Sequence, residues 1–237
     1  MFKETRTFFV NNRSVFSLGM VALMISSLGD LIAGVTLGTM SGTLELLPGL
    51  MILIPPAIGM RGNIFGALGS RLGTAMHIGT FEISFRKGGI LRSNMESSLL
   101  LTLVMSVLMG VLAYATCLLL GLESMSVEKL VFISVLGGIL AGLVLILINV
   151  IVAGIGFRRN WDIDNISAPL ITAAGDIVTL PMLFLSAIIV LSSPDITVLL
   201  FSLMFILVTI VLVGMAISKG VGEMRRIFVQ SAPVLTL

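Results

Sequence analysis

Residues 168–191 read APLITAAGDIVTLPMLFLSAIIVL, an apolar run whose single charge is Asp176. A helix rises about 1.5 Å per residue, so this stretch can cross a hydrocarbon layer of about 30 Å. A carboxylate at membrane depth costs roughly 2.5 to 3.5 kcal/mol on insertion scales and usually marks a polar path or a binding site. The segment thus predicts a helix that crosses a bilayer and carries an acid near its middle. A second stretch, Val15–Met40, holds Asp30 in the same way. Two such residues point to a carrier or channel for something positive rather than to an inert anchor.

The rest of the composition agrees. Of 237 residues, 57% are hydrophobic and 11% are charged, and the mean hydropathy is +1.16. A soluble domain could not hide that much apolar surface. Alternating barrel strands do not occur, so the expected class is all-α and membrane-embedded. The net charge of +2 reflects basic residues gathered at one membrane face, and nucleic acid is not an expected partner. Cys117 is the only cysteine and His77 the only histidine. An intrachain disulfide and a soft-metal site of thiols or imidazoles are therefore excluded.

Working outward, six segments qualify as spans: Val15–Met40, Leu46–His77, Ser97–Leu120, Leu130–Phe157, Ala168–Leu191 and Ile196–Ser218. The first is too long for a signal-peptide core and reads as a true span. The second exceeds one straight crossing and contains Pro55-Pro56, which predicts a helix broken there. Lys3, Arg6, Arg13, Arg86, Lys87, Arg92, Arg158, Arg159, Lys219, Arg225 and Arg226 all fall on one side of this six-span arrangement, and the opposite face has only Lys129. The positive-inside rule then places both termini in the cytoplasm, with the plasma membrane as the expected location. Polar segments such as Gly79–Glu96 read as short loops. The whole of 1–237 is expected to be one transmembrane transport domain without a soluble domain. Small residues recur at three- to five-residue spacing in the second and fourth spans, a pattern that lets helix backbones approach closely.

Depth follows from counting. Asp176 lies about 12 Å from the cytoplasmic end of span five, and Asn149 is at about the same depth in span four. Asp30 lies about 15 Å in from the outer end of span one. Asn63 follows the prolines of span two. Oxygen-bearing side chains from four spans can therefore meet near the midplane. Hard cations prefer oxygen, and Mg²⁺ keeps several of its waters, so one or two carboxylates with a few carbonyl or amide oxygens suffice. Each residue also has a structural reading: a protonated, hydrogen-bonded packing acid for Asp176, an Asp30–Arg61 pair, and interhelical hydrogen bonding for Asn149. Arg61 can equally hold a carboxylate while the site is empty.

Two motifs carry a resemblance. Residues 56–63, PAIGMRGN, are similar to the P-x-x-G-M-x-G-N signature of MgtE-type magnesium transporters, while the SRLGT that follows at 70–74 and the basic Arg61 look more like the eukaryotic magnesium solute carriers related to MgtE. Residues 164–170, DNISAPL, and 175–180, GDIVTL, resemble a matching pattern in the eukaryotic magnesium solute carriers related to MgtE. The likeness spans about 15–192 and leaves the sixth helix, about 196–218, outside it. It implies Mg²⁺ as the transported ion, a pore at a dimer interface, and Asp176 as the central cation ligand. Asp30, Asn63 and Thr172 are further candidate ligands, with Gly59, Gly62, Arg61, Asn149 and Gly175 lining the path. The chain matches one half of the internally duplicated carriers, which implies a homodimer. It departs from the bacterial proteins in lacking their cytoplasmic magnesium-sensing region, in the extra span, and in placing Arg61 where their motif has glycine.

Other functions remain open at this point. Co²⁺, Mn²⁺ or Na⁺-coupled transport would use the same oxygen ligands. An intramembrane aspartyl protease would also need two membrane aspartates, but the Gly-x-Gly-Asp and Tyr-Asp signatures are missing around Asp30 and Asp176. A membrane assembly subunit is a third class. The expectation is a transporter, not an enzyme.

Overall fold

The computed structural model describes residues 13–45, 47–159 and 163–218. Among them the chain is all helical: α1 (Arg13–Thr39), α2 (Ser41–Glu45), α3 (Leu50–His77), α4 (Ile90–Leu120), α5 (Val127–Arg159), α6 (Ile163–Ser192) and α7 (Asp195–Ser218). Helices α3 to α7 are each long and apolar enough to cross a membrane, and α1 contributes a shorter apolar stretch, Leu23–Thr39. The protein is a multi-pass membrane protein of the all-α class.

Two boundaries differ from the sequence reading. The helix does not break at Pro55-Pro56, because α3 runs continuously through both. The prolines lie in its second turn, where their missing N–H groups release only the carbonyls of Met51 and Ile52, and both rings point out of the bundle. The apparent excess length disappears because α3 starts at Leu50. Before it come the short α2 and a turn in which Gly49 has φ of 87°. A side chain at Gly49 would also meet Ser124 Oγ at 2.7 Å, so glycine is required there twice over. The second difference is at α4, which begins at Ile90 rather than near Ser97. Arg92 and Glu96 form an i,i+4 pair at 2.6 Å, and Asn94 accepts a 2.7 Å hydrogen bond from Arg71 Nε. Those pairings let polar residues continue the helix below the apolar run.

Helix α6 is central. It packs against α3, α5 and α1, while α4 closes the side formed by α3 and α5, and α7 rests on α5 and α4. In lipid, association depends on close packing rather than on water exclusion. The glycines supply it: a Cβ on Gly110 would lie 2.7 Å from Val131 Cα, and one on Gly137 would lie 3.1 Å from Leu183 Cα. On one flank, Ser202 Oγ of α7 donates to the Glu128 carbonyl at 2.7 Å, and Lys129 pairs with Asp195 at 2.8 Å.

The apolar interior falls into two clusters. One holds Leu53, Ile54, Ala57, Ala113, Ile133, Leu180 and Leu183. The other holds Met60, Ile64, Phe65, Met105, Leu145, Ile146 and Ile171. On α3, α4, α5 and α6, which contribute to both clusters, polar or small residues lie at the change from one to the other. Gly59 does so on α3, with Arg61 and Gly62 just past Met60, Ser106 and Gly110 on α4, Ser134 to Gly142 on α5, and Thr172 to Thr179 on α6. A polar layer therefore crosses the bundle at mid-height.

Candidate functional site

The outer side of this layer is built by α1, α6 and α3. Gly29 brings α1 onto α6, since a Cβ there would be 3.0 Å from Ala173 Cβ. The next residue, Asp30, is thereby placed so that its carboxyl is in hydrogen-bond contact with that of Asp176. Asp176 is buried, while Asp30 is exposed on the surface of the single protomer. Two acids so close carry a like-charge cost that a cation between them removes.

On its other flank α6 meets α3 through backbone. A Cβ on Gly175 would lie 3.5 Å from the Gly62 nitrogen, and one on Gly62 would lie 3.1 Å from Thr172 Cγ2. Thr172, Gly175 and Gly62 thus form one helix contact beside Asp176. Asn63, the next residue, faces outward together with Pro55, Pro56, Gly59, Ala67 and Thr74, so α3 presents a stripe of small and polar residues away from its own core. Within α6, Pro181 has no N–H to give the Ile177 carbonyl, which leaves that oxygen, one residue past Asp176, without its helical donor.

The remaining candidates lie elsewhere. Arg61 is fully buried on the face of α3 opposite Gly59 and Asn63, and it does not pair with Asp30. Its Nη1 donates to the Ala57 carbonyl at 2.9 Å and its Nη2 to the Ser134 carbonyl at 3.1 Å. Asn149 is buried in α5, where its Nδ2 donates to the Leu145 carbonyl at 3.0 Å and its Oδ1 has no partner among the described residues. The structure brings Asp30 to Asp176, gathers Gly62, Thr172 and Gly175, and places Arg61 and Asn149 inside the bundle.

Some polar residues were not anticipated. Ser98, Ser106, Ser134 and Thr179 bury hydroxyls without partners among the described residues. A signal for part of this set exists in the sequence: Asn94, Ser98, Thr102 and Ser106 recur every four residues, which is one face of a helix. All four are buried on α4. Among the described residues, no three His, Cys, Asp or Glu side chains gather into a metal cage. A pair of carboxylates with backbone oxygens suits a cation that retains much of its water.

The family MgtE, described as a divalent cation transporter, matches residues 54–186, more than half of the chain. The chain is also similar to solute carrier family 41 member 3 of Rattus norvegicus, 29% identical over 174 residues, covering 70% of this chain and 37% of that protein. Its counterpart in Mus musculus is 32% identical over 153 residues, covering 62% of this chain and 30% of that protein. Solute carrier family 41 member 2 of Homo sapiens is 27% identical over 180 residues, covering 69% of this chain and 29% of that protein. The chain thus spans about a third of the length of the curated relatives it matches. No solved structure matches it.

Proposed function

Because the chain belongs to the MgtE family of divalent cation transporters, we propose that it moves Mg²⁺ across the plasma membrane along a path lined by Asp176. The observation that carries this reading is the contact between the Asp176 and Asp30 carboxyls in the mid-height polar layer. Asp176 is the central ligand and holds the ion largely through its retained waters. Asp30 approaches from α1 as the second carboxylate. The Ile177 carbonyl and the Thr172 side contribute neutral oxygens. Gly59, Gly62 and Gly175 keep the wall beside the ion free of side chains, and Asn63 offers an amide oxygen at its edge.

The path is completed by a second copy of the chain. The outward stripe of α3 is Pro, Gly, Asn, Ala and Thr, and Asp30 is exposed on the single protomer. Lipid tails would leave those polar groups unsatisfied, whereas a twofold partner and the water it traps would satisfy them.

One alternative has specific support, since paired aspartates also build aspartyl proteases. The two readings separate in proteoliposomes holding the full chain. Transport predicts Mg²⁺ uptake that Asp176→Asn abolishes while the fold is kept. Uptake at the wild-type rate in that variant would remove Asp176 from the path, and peptide cleavage lost in the same variant would favour the protease.

A further inference from the structure

Arg61 carries a fixed positive charge into the layer that holds the two acids. Among the described residues, the ionisable side chains of that layer are Asp30, Asp176 and Arg61. A guanidinium stays charged in proteins, and inside a bundle an acid is its usual compensation. Arg61 forms no ion pair among the described residues. Its Nη1 and Nη2 end on the Ala57 and Ser134 carbonyls, which are neutral. Gly138 is small enough to admit it, since a Cβ there would lie 2.9 Å from Nη2. The charge is therefore held in place by α3 and α5 and left unbalanced.

Its place relative to the acids follows from the contact of α3 with α6. A Cβ on Gly175 would lie 4.0 Å from the Arg61 carbonyl carbon, so Arg61 and Asp176 stand at one level of the bundle. The Arg61 side chain leaves α3 on the face opposite Gly59 and Asn63. An ion held by Asp176 on the Gly59 side is thus about one helix diameter from the guanidinium, roughly 10–12 Å. Packed helix lies between them, so dissolved salt screens the pair little. At that distance and an effective dielectric of 20, repulsion lowers the affinity of an ion by about tenfold per unit of its charge, hence about a hundredfold for a divalent ion.

Weakening of this kind suits transport. Two ionised carboxylates facing a 2+ ion make a neutral and deep site, whereas conduction needs a site that the ion can also leave. We propose that Arg61 sets the residence time of the cation: acting through space, without touching the ion, it lowers the affinity of the Asp176–Asp30 site for divalent cations and speeds their release. This rests on the cation site proposed above and assigns its turnover to a residue outside the path.

The test measures Mg²⁺ uptake against Mg²⁺ concentration in proteoliposomes holding the full chain. Arg61→Met should lower the half-saturating concentration by about ten- to a hundredfold, and the maximal rate should fall because release slows. Arg61→Lys keeps the charge and should stay close to wild type in both. Ser106→Asp gives a second route. A side chain at Gly138 would collide with both Ser106 Oγ and Arg61 Nη2, so the two groups are neighbours, and a carboxylate at 106 would neutralise the guanidinium in place. That variant should repeat the Arg61→Met result, and it tests the proposal even if Arg61→Met does not fold. A role confined to packing predicts less folded protein or a raised half-saturating concentration, not tighter binding. An unchanged or raised half-saturating concentration in either neutralised variant would overturn the proposal. Failure of the cation site itself reads differently, because Asp176→Asn would then take up Mg²⁺ at the wild-type rate.

Discussion

At the scale of single residues, the two membrane aspartates were legible because nothing else in their spans is charged, and insertion cost makes such residues conspicuous. Their contact was not legible, since it depends on Gly29 bringing α1 onto α6. Arg61 shows the same limit more sharply. The sequence offers Asp30 as a natural partner, yet residue 61 lies about 200° around α3 from 59 and 63, so it turns inward when they turn out. From this geometry the two acids should differ in weight. A unit charge pair at 4 Å and an effective dielectric of 20 is worth about 4 kcal/mol, and more for a divalent ion. Asp176→Asn keeps size and most hydrogen bonding while removing the charge proposed as the central ligand, and Mg²⁺ uptake should fall by at least about a hundredfold. Asp30→Asn removes an exposed, better hydrated charge, and its uptake should fall less, by about tenfold. Both rates are read from tracer flux, with circular dichroism confirming the fold. An equal loss in the two variants would mean that the acids act as one unit rather than as central and auxiliary ligands.

At the scale of elements, hydropathy gave the spans well, because a 30 Å slab imposes one length on every crossing. It failed where polar residues are helical for tertiary reasons, as at residues 90–96, where Arg71 and Glu96 hold the start of α4. It failed again at Pro55-Pro56, because the cost of proline depends on its position in the helix and not on its presence. Glycines likewise divide by what their missing side chains would meet. At Gly110 the obstacle is Val131 backbone at 2.7 Å, which cannot swing aside. Gly110→Ala should lower stability by about 1–3 kcal/mol, measured as an earlier melting transition in detergent. At Gly59 nothing lies within 4 Å. Gly59→Leu should leave the melting transition of the protomer unchanged yet reduce uptake, because it projects bulk onto the outward stripe of α3. Normal uptake by Gly59→Leu would show that this stripe faces lipid instead.

At the scale of the whole molecule, the distribution of basic residues predicts an orientation that can be tested. Cytoplasmic loops collect Lys and Arg, and the loop carrying Arg86 and Lys87 joins α3 to α4, while the loop carrying Glu123 joins α4 to α5. These loops sit at opposite ends of α4, a 31-residue helix, which at 1.5 Å per residue separates them by about 45 Å. Both Lys87 and Glu123 are exposed, and Cys117 is buried, so single cysteines can be placed at either end in a Cys117→Ala background. In intact cells an impermeant maleimide should label Glu123→Cys, and Lys87→Cys only after the membrane is opened. The reverse pattern would invert the topology, and labelling of both from outside would mean that α4 does not cross. The same background tests the dimer. Asn63 and Ala67 lie one turn apart on the outward face of α3, and a twofold axis running along that face would bring each close to its own copy. Asn63→Cys or Ala67→Cys should therefore form a disulfide-linked dimer on mild oxidation, while Leu207→Cys, on the lipid-facing side of α7, should not. If α7 cross-links and α3 does not, the outward stripe of α3 lines no shared path, and the polar route has to be completed within one protomer.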